Sequence, residues 1–198
     1  MKLFNLIKAS VVTLFLSFAY MAAAQAQSTI LVVDQTRVLQ ESEVGKHVKR
    51  QLESISKAME NEVKNAMKPI ESEGNRLKAE LKNMSVDALK SRPDLQQRAK
   101  TLQEKMQKQQ VEAAYKQREL QITEQKAMNK VKEKLATILK SIVDERKADV
   151  MIDRSVIIYT SPSADVTDTV ISRLNSQMRT VSVIRERLPR KPLTAPKK

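Results

Sequence analysis

VGKHVKRQLESISKAMENEVKNAMKPIESEGNRLKAELKNMSVDALK (residues 44–90) is polar along most of its length, yet its apolar and small residues fall on one line. Val48, Leu52, Ile55, Met59, Val63, Ala66, Ile70, Gly74, Leu77, Leu81, Met84 and Ala88 follow one another at intervals of three or four. That spacing places them on one face of a helix and leaves the charges on the others. The mean repeat is about 3.6 residues, so a strict heptad is not kept and an antiparallel helix pair suits the stretch better than a long parallel coiled coil.

The partner helix lies further along the chain. Ser85-Val86-Asp87 and Ser91-Arg92-Pro93-Asp94 bracket a break, and Pro93 beside Asp94 makes a good helix start. A second stripe then runs through Leu95, Ala99, Leu102, Met106, Ala113, Leu120, Ala127, Val131, Leu135, Ile138 and Ile142 to about Lys147. Between Gln103 and Gln121 that face thins to Ala and Gln, so the seam is expected to be strong at both ends and weak in between. A helix of this length reaches roughly 80 Å, more than a domain of this size can enclose, so it must project. Pro69 and Gly74 interrupt the outgoing helix and form a candidate hinge, since proline removes a backbone donor and glycine weakens the same turn.

The flanks of the hairpin read as a small β-containing body. Ile30 to Val33 is short and β-branched, as a buried strand is, and Thr36 to Glu43 suits a helical turn leading into the arm. After Ala148, Val150-Met151-Ile152 and Val156-Ile157-Ile158-Tyr159 read as a β-hairpin about Asp153-Arg154-Ser155, and Asp165 opens a short helix to about Met178. Val181 to Ile184 offers a further edge strand. The fold class is therefore α+β, a long antiparallel helical-hairpin arm on a small β-strand body. So few short strands cannot bury themselves alone, so the body is expected to oligomerise. The divisions are a signal peptide over 1–26, a body strand and short helix over 27–43, the arm over 44–148, body strands and a short helix over 149–184, and a disordered basic tail over 185–198.

Residues 1–26 have the marks of a secretory leader. Lys2 and Lys8 precede an apolar stretch, and Ala24-Gln25-Ala26 supplies the small-x-small cleavage pattern. Cysteine is absent, which fits an exported chain without a disulfide framework. Beyond the leader there is no Phe or Trp, and the only aromatics are Tyr115 and Tyr159, so one conventional core is not expected. The net charge of +13 is uneven: +4 over 44–93, +5 over 94–148 and +6 from Arg179 onward, against −2 over 27–43 and −2 over 149–178. The arm and tail are basic and would steer acidic partners.

Enzymatic chemistry finds little support. His47 is the one histidine and reads as a solvated helix residue; there is no glycine-rich phosphate loop and no clustered metal-ligand set, so no cofactor is expected. The crowding of Lys130, Lys132, Lys134, Lys140, Arg146 and Lys147 would give salt-sensitive, non-specific nucleic-acid binding without interleaved aromatics to specify it.

ADVMIDRSVIIYTS (residues 148–161), DVTDTVISRLNSQ (165–177) and TILVVDQTRVLQES (29–42) together resemble the periplasmic chaperone family known as Skp or OmpH, over nearly all of Thr29 to Gln177. The resemblance implies a homotrimer with a β-barrel base and three α-helical tentacles enclosing a cavity for unfolded outer-membrane proteins. Ile30, Val32, Val150, Ile152, Ile157 and Tyr159 are then expected in the oligomerising body. Met67, Met128, Lys64, Lys68 and Lys130 are candidate client contacts, because methionine adapts to many partners and the lysines draw an anionic chain. Met59, Met84 and Met106 read instead as seam residues. The expected function is that of an ATP-independent periplasmic holdase. The alternative is a basic coiled-coil envelope adaptor whose Arg185, Arg187, Arg190, Lys191, Lys197 and Lys198 meet anionic lipid or lipopolysaccharide.

Overall fold

The structure is a computed structural model that describes residues 28–190. The expected leader, and the tail beyond Arg190, lie outside the described residues. The elements are β1 (Ile30–Val33), α1 (Gln35–Glu41), α2 (Glu43–Leu81), α3 (Val86–Lys90), α4 (Pro93–Arg146), β2 (Val150–Asp153), a 3-10 turn (Arg154–Val156) and α5 (Thr167–Gln177).

Local capping chemistry sets most boundaries. The Asp34 carboxylate accepts from the Arg37 amide (2.8 Å) and starts α1. Buried Ser42 starts α2, its hydroxyl accepting from the Gly45 amide (3.2 Å). Gly45 has no alternative here: a Cβ would lie 1.7 Å from the Leu39 carbonyl oxygen, so the tight α1–α2 junction admits no side chain. At the tip, Ser85 caps α3 through the Ala88 amide (3.2 Å), and Pro93 stands at the start of α4, where a missing donor costs nothing. The 54 residues of α4 span about 80 Å. They end at Lys147, which takes the left-handed conformation (φ 50°, ψ 41°) while the Ala148 amide donates back to Val143 (3.0 Å).

Because α2 leaves the body and α4 returns to it, β2 arrives beside β1 in the same direction. The two pair in parallel, Ile30 with Val150 through Val33 with Asp153. The other edge of β1 is taken by Ala164–Val166: the Val32 amide donates to Ala164 O (2.9 Å) and the Val166 amide donates to Val32 O (2.9 Å).

The expected β-hairpin is not formed. The Asp153 carboxylate accepts from the Ser155 amide (2.9 Å), the chain tightens into the 3-10 turn, and Ile157–Tyr159 joins no strand of the protomer. The outer edge of β2, which such a hairpin would use, is left unpaired among the described residues, because the turn at Arg154–Val156 carries the second apolar run away from it. Val181–Ile184 forms no strand either.

The core sits where arm meets body. Leu31, Val33, Val38, Val44 and Val48 pack with Ala127, Val131, Leu135, Ile138 and Ile142 of α4 and with Val166, Val170 and Leu174 around α5. Arg173 on α5 holds Glu145 at the end of α4 (2.6 and 2.5 Å), and this guanidinium, with the Ser141 hydroxyl, brings the Glu145 carboxyl down to about 2.

Candidate functional site

Two surfaces stand out, one on the body and one along the arm. On the body, Val156 (75% exposed), Ile158 and Tyr159 (82%) project into solvent, and Ile30 and Val150 are half-exposed. A run of apolar side chains this open is a liability for an isolated subunit. Of the residues expected in the oligomerising body, Ile30, Val150 and Tyr159 are exposed, and Ile152 and Ile157 are half-buried. Val32 is neither: it is buried inside the protomer's own core, because it lies between β2 and the Ala164–Val166 segment. Val156 and Ile158 join the exposed residues because the turn at Arg154 frees them from the expected ladder.

Along the arm, α2 and α4 pack through Met59, Ile70, Leu77 and Leu95, with Arg98 crossing to Glu73 (2.8 Å) and Glu80 (2.9 Å) near the tip. Helix α2 runs unbroken through Pro69, which is exposed, and a Cβ on Gly74 would meet only Leu102 at 3.7 Å, an ordinary contact. The methionines are distributed differently from expectation. Met59 is buried in the seam, but Met106 is 43% exposed and Met84 half-buried, whereas Met67 and Met128 are half-buried. Met128 packs on the base core and lines a shallow groove with Leu39, Val48, Leu52 and Leu120. Lys64, Lys68 and Lys130 are exposed.

The thin middle of the seam is completed by the tail. Residues expected to be disordered from Arg185 lie instead, as far as Arg190, along the arm. The Val181 carbonyl accepts from His47 Nε2 (3.2 Å), so His47 is not simply solvated, and Val181 and Val183 pack on the core. Arg185 then reaches Glu62 of α2 (2.7 and 3.1 Å) and comes within 3.5 Å of Glu119 of α4. The Glu186 amide donates to the Thr123 hydroxyl (2.9 Å) and the Leu188 amide to Glu119 Oε1 (3.0 Å). Arg190 holds Glu119 (2.6 Å) and Glu112 (2.9 Å) and stacks over the Tyr115 ring at 4.6 Å.

These contacts explain a buried carboxylate in a polar seam. Glu119 has no exposed surface. Burial by itself pushes its carboxyl up, but Arg190, the Leu188 amide and Arg185 together hold it below the ordinary carboxylate range. Glu62 is pulled down to about 2 by Arg185 first and then by Lys116, its neighbour on α4. None of this was visible in the spacing of residues. Glu119, Thr123, Arg185 and Arg190 carry no motif, and only the scarcity of apolar residues between Gln103 and Gln121 hinted that something else must cover that face.

The profile of the family described as outer membrane protein (OmpH-like) matches residues 29–174, from β1 into α5. The chain belongs to this family. It is similar to the chaperone protein Skp of Yersinia enterocolitica, 24% identical over 168 residues that span 80% of this chain and 94% of the relative. The solved structure of an OmpH-like outer membrane chaperone from Caulobacter crescentus CB15 superimposes with a TM-score of 0.70 at 29% identity, covering 83% of this chain and 94% of that one. The mostly helical fold with its small sheet is thus the fold of this family. The matched profile stops before the tail.

Proposed function

We propose that the chain is an ATP-independent periplasmic holdase that captures unfolded outer-membrane β-barrel proteins between basic helical arms and keeps them from aggregating. Membership of a family whose relatives include Skp supports the class of activity. The observation that carries the mechanism is the architecture itself: a projecting, basic hairpin on a body that presents unpaired apolar side chains. The Val156–Tyr159 run, with Ile30 and Val150, is where copies of the chain would join, closing a homotrimeric β-barrel base and setting three arms around one cavity. Net charge of +4 and +5 on the two halves of each arm would draw in an anionic client, and salt would weaken that capture.

Exposed Lys64, Lys68 and Lys130, with Met106, Met67 and Met128, supply cation and adaptable apolar contact without demanding a sequence. Pro69 and Gly74 would let the arm splay for larger clients, since Pro69 leaves the carbonyl one turn earlier without its helical donor. Export by the leader would place the protein in the periplasm. The adaptor reading loses weight, because Arg185 and Arg190, two of the six tail cations it needs, are engaged by the arm's own carboxylates.

The test is light scattering from a urea-denatured outer-membrane β-barrel protein diluted into buffer with and without the chain from Gln27 to Lys198. Aggregation is expected to be suppressed near three chains per client and to return with salt. Aggregation unchanged at several-fold excess would sink the holdase reading.

A further inference from the structure

The contacts between tail and arm have a repeat. Thr123, Glu119 and Tyr115 stand one helical turn apart on α4, and opposite them stand Glu186, Leu188 and Arg190, each two residues on. Four residues of α-helix advance about 6 Å, and two residues of extended chain advance about 6.6 Å. An extended polypeptide running antiparallel to α4 therefore stays in register with this face over three steps. At two of them the arm reads the backbone, not the side chain, since Thr123 Oγ1 and Glu119 Oε1 accept main-chain amides. Any extended segment free of proline at those points offers the same donors. The side-chain preference comes from Glu62, Glu112 and Glu119, three carboxylates of a net-basic arm that face Arg185 and Arg190.

The occupant also fits incompletely. Among the described residues, buried Glu119 Oε2 and Arg185 Nε have no hydrogen-bond partner, although the Arg185 guanidinium lies 3.5 Å from that oxygen. Unmet hydrogen bonds of this kind lower the net strength with which a segment is held. Residues 178–190 add no regular secondary structure beyond α5.

We propose that the Thr123–Glu119–Tyr115 face of α4, with Glu62 and Glu112 at its sides, is a binding site for an extended basic polypeptide segment, and that residues 185–190 are its resident, displaceable occupant in cis. The occupant lies beyond the matched profile, and the proposal does not depend on the holdase reading.

The test uses a fluorescein-labelled peptide of residues 179–198 and the chain from Gln27 to Lys198. The full-length variant Arg185→Ala/Leu188→Pro/Arg190→Ala weakens the cis occupant and should bind the peptide about tenfold more tightly than the unaltered chain. Adding Glu119→Gln to that variant should return affinity to the unaltered level, and a peptide carrying Glu186→Pro and Leu188→Pro should bind no better than background. In the unaltered chain, excess peptide should speed amide exchange at Glu186 and Leu188, which keeps the question open to measurement if the variant misfolds. Equal peptide binding by variant and unaltered chain, or a gain that Glu119→Gln leaves intact, would overturn the proposal. So would exchange at Glu186 and Leu188 that is indifferent to peptide.

Discussion

The base and the middle of the arm join the same two helices by different means. At the base, Val44 and Val48 of α2 meet Val131, Leu135 and Ile138 of α4 in a layer sealed by β1 and α5. In the middle, Glu119 and Thr123 occupy buried positions of α4, and a segment more than sixty residues further along closes the seam with guanidinium groups. The apolar layer is non-directional and draws its strength from area removed from water. The polar layer depends on particular partners, since a buried carboxylate stripped of its cation is left at a cost. One seam should therefore tolerate change in proportion to volume, and the other should fail locally when a single partner is lost.

The sharpest way to separate them starts at the base. Leu135→Ala should cost about 2–5 kcal/mol of global stability, read as a fall in the thermal midpoint of the helical circular dichroism signal. In the middle, Arg185→Ala should cost about 1–3 kcal/mol, confined to the neighbourhood of Glu119 and Glu62. Hydrogen exchange would then rise over residues 112–123 and 185–190 while Val131–Ile138 stays protected. A uniform rise along α4 would show that the two seams are one cooperative unit.

Acid should divide them as well. The Glu62 carboxyl is depressed to about 2 from an ordinary 4.5, so its contribution is present above the ordinary value and is lost as pH falls through the folded one. Glu119 is shifted in the same direction. Protection of amides in the middle of the arm, measured against their intrinsic exchange rate, should therefore fall between about pH 4.5 and 2, ahead of that of the apolar layer at Val131–Ile138. The smallest effect belongs to Gly74. Its position leaves room for a methyl group against Leu102, so Gly74→Ala should raise stability by about 1 kcal/mol in denaturant titration. If the same variant takes up large clients less well, Gly74 contributes to an arm hinge; unchanged uptake would leave Pro69 to supply it alone.

The arm was legible because its signal is local. An apolar residue every three or four positions specifies a helix face wherever the rest of the chain lies, and Ser85 and Pro93 mark boundaries through local backbone chemistry that reaches only a few residues. The approach of the first strand to the chain after the arm was legible too, since a hairpin must come back to where it began. The β-hairpin at Val150–Tyr159 was misread for a physical reason. Two β-branched runs about a polar break look alike whether the break reverses the chain into a hairpin or tightens into a 3-10 turn, and here the Asp153 carboxylate takes the Ser155 amide and closes the latter. Met106 was misjudged as a seam residue because position along a stripe does not say how closely the partner helix approaches at that height.

By itself the sequence determined a polar helical hairpin, its break and its return, a small β-containing body, and an excess of positive charge on arm and tail. Those properties follow from periodicity, capping and composition, each of which acts over a few residues. Only the tertiary structure decided that Val32 is enclosed while Val156 and Tyr159 are not, and that Arg185 and Arg190 lie on the arm. It alone showed that Glu119 can be buried there. These depend on which distant groups come within a few ångströms of one another, and a basic residue in a Pro- and Lys-rich tail looks the same in sequence whether it meets water or a carboxylate.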